Sequence, residues 1–414
     1  MKPGMRWTRR AFVQGMGYAS AISTLDTLAP CHAALSTKLT QPLAGAMSPS
    51  GFAYIASAGK RTAREAPGIH VFDMRGNHWV LKQTLESKAP AFLALHPSQQ
   101  FLYVANETDE CQGLPCGTVE AYAIDPYDGQ LAFINRQPLS LSAIHPRYLA
   151  ISPDGHHLVV AAYGGGAYNV LPVGQNGEIG SVSGILKEVG FGPHPDHQTS
   201  AHPHTVIFDA AGRYLLATDQ GCDRFSVFTL QDGMVSRIHR IRLPAGIGPG
   251  HMAIHPSGSM LYVANARDGS IAGYRMCTST GEIRRAVGSV RASTIPYDGA
   301  WNRVAIVIPP SGRFLYASCQ FGTSGGSGEG IAAWEINSVT GELTRIHTCS
   351  LGKCSVHALT LASDGRGLFV ADSGQNRVLY TPIDASTGKM GQALLLAEVA
   401  KPTSVAIKYL PERK

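Results

Sequence analysis

Charge is scarce in this 414-residue chain, where Asp, Glu, Lys and Arg together make up 15% of the residues and the formal net charge is +6. The basic residues are scattered rather than clustered, so the mild positive balance favours small anionic ligands and does not point to nucleic acid. Past the N-terminal segment there is no run of 18 or more apolar residues, which excludes a helical membrane span there. There is no C-x-x-C pair, so the eight cysteines do not match the usual spacing of a structural zinc site, which needs four ligands. What the chain has in quantity is 44% hydrophobic residues, 46 Gly and 25 Pro. That composition buries a large core and fits short strands joined by many turns.

Six times an apolar run, a Pro/Ser/Asp-Gly type turn and a second apolar run recur, about 46 to 57 residues apart. The copies are Phe92 to Asn106, Tyr148 to Tyr163, Thr205 to Asp219, Met252 to Asn265, Val304 to Cys319 and Ala358 to Asp372. Each reads as two strands with a tight turn, followed by a third strand such as Gly117 to Ile124 and often a D-x-x-x-G turn such as Asp125 to Gly129. Four antiparallel strands make one blade, and the period predicts an all-β propeller. Phe52 to Leu85 supplies three strands of one more blade, and Thr403 to Leu410 resembles its inner strand, with Leu43 to Ser48 as a competing candidate. Joining the two ends of the chain gives a closed ring of seven blades across residues 41–410, without exposed end strands.

The first 33 residues read as an export signal. Thr8-Arg9-Arg10-Ala11-Phe12 has the twin-arginine pattern, followed by an apolar stretch and a small-residue end near Ala33. This predicts a periplasmic or secreted protein that folds before passing through the twin-arginine machinery, with no stable membrane insertion, and a monomer. In such a compartment Cys111 and Cys116, and Cys349 and Cys354, each spaced C-x-x-x-x-C, are candidates for two small loop disulfides.

Antiparallel pairing places the start of each inner strand beside the end of the second strand, so residues at both positions in every blade converge on one mouth of the axis. They include Arg147, His202, His204, His251, Arg303 and His357 from inner-strand starts, and Asn106, Glu107, Tyr163, Asp219 and Asp223 from second-strand ends. The densest cluster is the loop Gly192 to Val206, with His194, His197, His202 and His204. Its prolines and the lack of a helical i, i+4 pair argue against a metal, and no metal or other cofactor is expected. The histidines are either solvated and packing groups or include a general base, for which His204, oriented by Asp219, is the best placed.

Gln198-Thr199-Ser200-Ala201-His202-Pro203-His204, Asp219-Gln220-Gly221-Cys222-Asp223 and Gly248-Pro249-Gly250-His251 resemble the succession Q-x-x-P-H-x-H, D-x-G-x-D and G-P-R-H of the seven-bladed lactonase family. That family includes 6-phosphogluconolactonases and carboxymuconate-lactonizing enzymes. The resemblance implies a small-molecule lactone or sugar-acid ligand. It places His202 and His204 near the reacting ester, with Asp219 and Asp223 as orienting acids. His251 and Arg224 would hold an anionic group, and Asn106 and Glu107, in a V-x-N-E pattern, would recognise hydroxyls. The chain departs from the pattern at Gly250, which replaces Arg, and at Ala162, Ala305 and Cys319-Gln320. Arg147 and Arg303, at inner-strand starts elsewhere in the ring, are candidates to supply the missing positive charge. The competing reading is a non-catalytic exported propeller that binds a small ligand or a protein.

Overall fold

A run of five or six apolar residues is long enough to cross one blade, and a turn residue that tolerates a left-handed backbone sends the chain back antiparallel. In the second blade Pro90–Leu95 leads into a turn closed by the Gln99 amide on the His96 carbonyl at 2.7 Å, and Phe101–Asn106 returns beside it. Thr118–Ile124 and the outer strand Leu131–Pro138 complete the sheet. The second and third strands are buried on both faces, while the outer strand alternates between partly buried and exposed positions. Stacking of blades face to face explains the difference, since only the outermost strand meets solvent.

The computed structural model describes residues 50–59, 67–74, 79–231, 233–293, 301, 303–319 and 330–410. The expected export signal, the alternative strand Leu43 to Ser48, Gln320 and residues 322–329 lie outside them. Among the described residues seven four-stranded antiparallel sheets form. From the second blade to the seventh, the inner strands are Pro90–Leu95, Pro146–Ile151, Pro203–Phe208, Pro249–Ile254, Ile306–Val307 and Val356–Leu361. The first blade takes its inner strand from the far end of the chain. Pro402–Tyr409 pairs antiparallel with Gly51–Ser57, setting Val405 opposite Ile55 and Ile407 opposite Ala53. That strand packs between the inner strands of blades 2 and 7, so the ring is closed.

Neighbouring blades are locked by a repeated contact at the glycine turn between third and outer strands, which reads D-x-x-x-G at Asp125 to Gly129 and Asp384 to Gly388. Asp125 Oδ1 accepts from the amides of Tyr127 and Asp128 at 2.8 and 3.1 Å, which holds Gly129 at φ +74 against the ring of Phe52 from the preceding blade. Tyr54 then donates its hydroxyl to the Gly129 carbonyl at 3.0 Å. The same bond recurs from Tyr103 to Gly177, Tyr262 to Gly341 and Tyr316 to Gly388 at 3.2, 2.8 and 2.9 Å. A Cβ on Gly129 would stand 2.2 Å from the Phe52 ring, so glycine is required there both for its φ and for the close approach.

One local feature aims the side chains at the axis. In six blades the ladder between inner and second strand slips just after its first pair, after Pro402, Pro90, Pro146, Pro203, Pro249 and Val356. The residues inside the slips are Thr403, Ala91, Arg147, His204 with Thr205, Gly250 with His251, and His357. Such a bulge re-aims a side chain that the ladder would otherwise fix.

Closure by the last strand is testable. Ile407 is 7% exposed, and Ile407→Ala is expected to cost roughly 2 to 4 kcal/mol in urea unfolding. Removing residues 402–414 is expected to abolish the cooperative transition, and a midpoint unchanged by that truncation would show that the ring is held elsewhere.

Candidate active site

The bulged residues meet in two connected cavities on the axis. The larger, about 210 Å³, is lined by Arg147, Tyr163, His197, His204, Gln220, Gly250, His251, Trp301 and Arg303. A smaller space of about 30 Å³ shares Arg147, His204, His251 and Arg303 with it and adds Glu107, Tyr148 and His357. These four shared side chains come from four different blades.

Charge in this space is sparse and specific. Arg147 donates from Nε to Glu107 Oε1 at 2.7 Å and lies 3.6 Å above the Tyr163 ring, so its charge is balanced and its plane fixed. Arg303 donates from Nη1 to the imidazole of His357 and has no carboxylate partner among the described residues. Burial, and then the charge of Arg147, lower the Arg303 pKa to about 10, so the guanidinium stays cationic at neutral pH. The axis therefore carries one uncompensated positive charge.

Three imidazoles around it are held neutral. Burial pushes the His251 pKa down to about 3, with Arg303 adding to the effect. His204 and His357 are pushed well below the usual histidine value, again first by burial and then by the neighbouring cations and imidazoles. His204 is 7% exposed, its Nδ1 lies 2.9 Å from Thr205 Oγ1, and its ring sits edge-on to His251 at 5.1 Å. Tyr163 donates its hydroxyl to Gln220 Oε1 at 3.0 Å, which leaves the Gln220 amide nitrogen about the cavity. That nitrogen lies 4.0 Å from where a Gly250 Cβ would stand. Among the described residues nothing comes closer to that point than 3.5 Å, so the missing side chain of Gly250 is part of the open space. Opposite, Trp301 stands with His194 and His197 at ring distances of 5.4 and 4.9 Å.

The structure sorts the residues expected from the sequence. His204, His251, Arg147 and Arg303 converge on the cavities, and Glu107 joins them through Arg147. His202 does not line either space: its Nδ1 donates to the Tyr163 carbonyl at 2.9 Å and its ring stacks on Tyr163 at 4.5 Å, which braces the tyrosine. Asp219 does not meet His204. Its Oδ1 accepts from the amides of His202, Gly221 and Cys222 at 2.8 to 3.2 Å, so it builds the turn at the end of its strand. Asp223 likewise accepts from Gly246, Gly248 and Gln198 at 2.6 to 2.8 Å and shapes the loop that delivers His251. Asn106 is fully buried, donating to Ser87 Oγ at 2.8 Å, and Arg224 lies outside the axial space, beside Glu188 and the Val189 carbonyl.

Trp301 and Gln220 were not singled out from the sequence. Trp301 stands two residues ahead of Arg303, just before an inner strand, which is the signal that could have found it. The expected disulfides are a correction: no bond joins Cys111 to Cys116 or Cys349 to Cys354. Cys349 is part of an outer strand with its thiol 3.6 Å from the Gly391 carbonyl, while the chain to Cys354 first turns at Gly352. The Cys116 thiol is held protonated by burial and by Cys111 beside it.

Fold and cavity together define a seven-bladed propeller with a polar, partly cationic cavity on its axis. The family model described as Lactonase, 7-bladed beta-propeller matches residues 53–407, and the chain belongs to that family. It is 27% identical over 363 residues to a 6-phosphogluconolactonase of Bacillus subtilis, covering 86% of this chain and 98% of that one. A 6-phosphogluconolactonase of Formosa agariphila is 27% identical over 334 residues, covering 78% and 90%. Among solved structures, a periplasmic gluconolactonase of Pseudomonas aeruginosa superposes with a TM-score of 0.73 at 24% identity, covering 87% of this chain and 100% of that one.

The neutral imidazoles set the pH dependence of stability. An unfolded histidine takes up a proton below about pH 6.5, whereas folded His251 resists protonation down to about pH 3. Stability is therefore full above pH 6.5 and falls as pH drops from there toward 3, by up to roughly 1.4 kcal/mol per pH unit for each such group. Urea midpoints measured across this range are expected to show a shallower slope in His251→Gln than in the parent, and equal slopes would contradict the assignment.

Proposed function

We propose that the protein is a lactone hydrolase that opens a sugar-acid or related lactone in the axial cavity. The observation that carries this reading is Arg303, a half-buried guanidinium without a carboxylate partner among the described residues, in the same small space as the neutral base His204. A volume of about 210 Å³ is below the usual range for drug-sized ligands and suits a single sugar ring.

In this mechanism His204 takes a proton from water as the water oxygen attacks the lactone carbonyl. The developing oxyanion faces Arg303, and collapse breaks the ring C–O bond. The protonated imidazole returns the proton to the departing ring oxygen, giving the open hydroxy acid. Gln220 and Tyr163 offer hydrogen bonds to ring hydroxyls, and Trp301 offers an apolar wall for the sugar face. With its pKa held well below 6.5, His204 is already in its neutral, proton-accepting form at physiological pH.

We favour an unphosphorylated substrate. Gly250 leaves an opening where the family pattern places Arg, and the axis keeps one surplus positive charge, suited to a monoanion or a developing oxyanion rather than to a phosphate dianion. The twin-arginine motif at Arg9-Arg10 and the likeness to a periplasmic gluconolactonase support the same choice and an exported protein.

The test is pH-stat hydrolysis of gluconolactone with and without the 6-phosphate, on protein recovered from the periplasmic fraction. The unphosphorylated lactone is expected to turn over faster, with kcat/KM level from pH 6.5 upward. Arg303→Gln is expected to lower kcat by about 10² to 10³, and His204→Gln to lower it by at least 10². Absence of turnover with both lactones, together with saturable thermal stabilisation by gluconate, would replace this reading with a ligand-binding propeller.

A further inference from the structure

A second polar cavity, of about 530 Å³, opens between the outer parts of blades 3 and 4 and shares no lining residue with the axial space. Its floor is built from arginines on blade 4. The third strand, Arg224–Gln231, begins with Arg224, and the outer strand, Met234–Arg242, carries Arg237, Arg240 and Arg242. The register sets Arg224 directly opposite Arg242 and Ser226 opposite Arg240, and a bulge between Val227 and Phe228 brings Arg237 to the same face. Like charges facing each other across an antiparallel pair are destabilising, so the fold alone gives no reason for this arrangement.

One buried carboxylate answers these charges. Glu188, with 3% of its side chain exposed, accepts from Arg240 Nη2 on Oε2 at 2.9 Å and from Arg237 Nη2 on Oε1. Arg224 Nη1 lies 3.5 Å from Oε2. Arg242 has no ion pair among the described residues. Asp223 also lines the cavity, but its carboxylate is committed to Gln198 and to the amides of Gly246 and Gly248. Cys222 contributes no charge, because burial, and then nearby Asp219, push its thiol up to about 12. Arg224, Arg240 and Arg242 line the groove with Arg237 behind them, against the carboxylates of Glu188, Asp223 and, beside Cys222, Asp219, so positive charge is in excess and Arg242 carries it into the open groove. The opposite wall is apolar, with Val189 and Phe191 exposed by 73% and 79%.

We propose that this groove binds a small organic dianion of the aryl or alkyl phosphate class, its phosphate between Arg240 and Arg242 and its apolar group against Phe191. Guanidinium forks match phosphate oxygens in pairs, and the surplus positive charge at Arg242 favours an anionic head of that shape. A multiply charged carboxylate lacks that tetrahedral head, and an axial ligand would instead depend on Arg303.

The experiment is calorimetric titration with phenyl phosphate and with inorganic phosphate against the parent protein, Arg242→Gln, Arg240→Gln and Arg303→Gln. Phenyl phosphate is expected to bind at least tenfold tighter than inorganic phosphate. Its affinity should persist in Arg303→Gln and fall at least tenfold in Arg242→Gln and Arg240→Gln. Arg242 is an exposed side chain, so its variant is expected to fold with a Tm at or above that of the parent, which separates loss of the site from loss of the fold. Binding abolished by Arg303→Gln but kept in Arg242→Gln would move the ligand to the axis and overturn the proposal. So would equal affinity for the two phosphates, equal or tighter binding of citrate, or no heat of binding at all.

Discussion

Backbone pairing holds the first residue of an inner strand opposite the last residue of the second strand, and the slip that follows turns the next side chain out of the ladder. Because blades radiate from a common axis, six repeats of that slip deliver Thr403, Ala91, Arg147, His204, Gly250 with His251, and His357 to one place. The chemistry of the cavity is thus set largely by these slipped positions, joined by Arg303 just ahead of the inner strand of blade 6. Seven copies of a sheet can stay nearly alike while those few positions change, which lets one architecture host different ligands.

The cavity joins two effects that burial produces with opposite consequences. It strips three histidines of their protons, because an apolar and cationic surrounding penalises imidazolium. The same surroundings leave Arg303 charged, since its intrinsic basicity is too high for burial to neutralise it at physiological pH. A neutral base beside a fixed cation is a suitable pair for attack on an ester, where a proton must be removed at one point and negative charge received at another.

Much of this was legible in the sequence, for a physical reason. Strand period, turn glycines and blade spacing report backbone geometry directly, so the seven blades, the closing role of Thr403 to Leu410 and the axial position of Arg147, His204, His251 and Arg303 followed from the pattern. Side-chain partners were not legible. Asp219 and Asp223 look like acids of a site, yet an aspartate at a strand end serves equally well to gather backbone amides, and both do so here. Arg224 was read as an anion holder on the axis because its motif adjoins His204 in order, but its strand begins on the outer side, beside Glu188. Trp301 was missed because it stands alone, outside any repeat.

Closure of the ring by residues 402–409 also orders events in time. During synthesis the strands Gly51–Ser57, Gly68–Asp73 and Val80–Glu86 leave the ribosome first, while the strand that completes their sheet leaves almost last. For most of translation the nascent chain therefore carries an open sheet edge whose neighbours, Phe52 to Ala56, are fully buried in the finished molecule. Such an edge can pair with another nascent chain as readily as with its own tail. The final blade is thus where misassembly competes with folding, and chaperones that shield strand edges would act at that step.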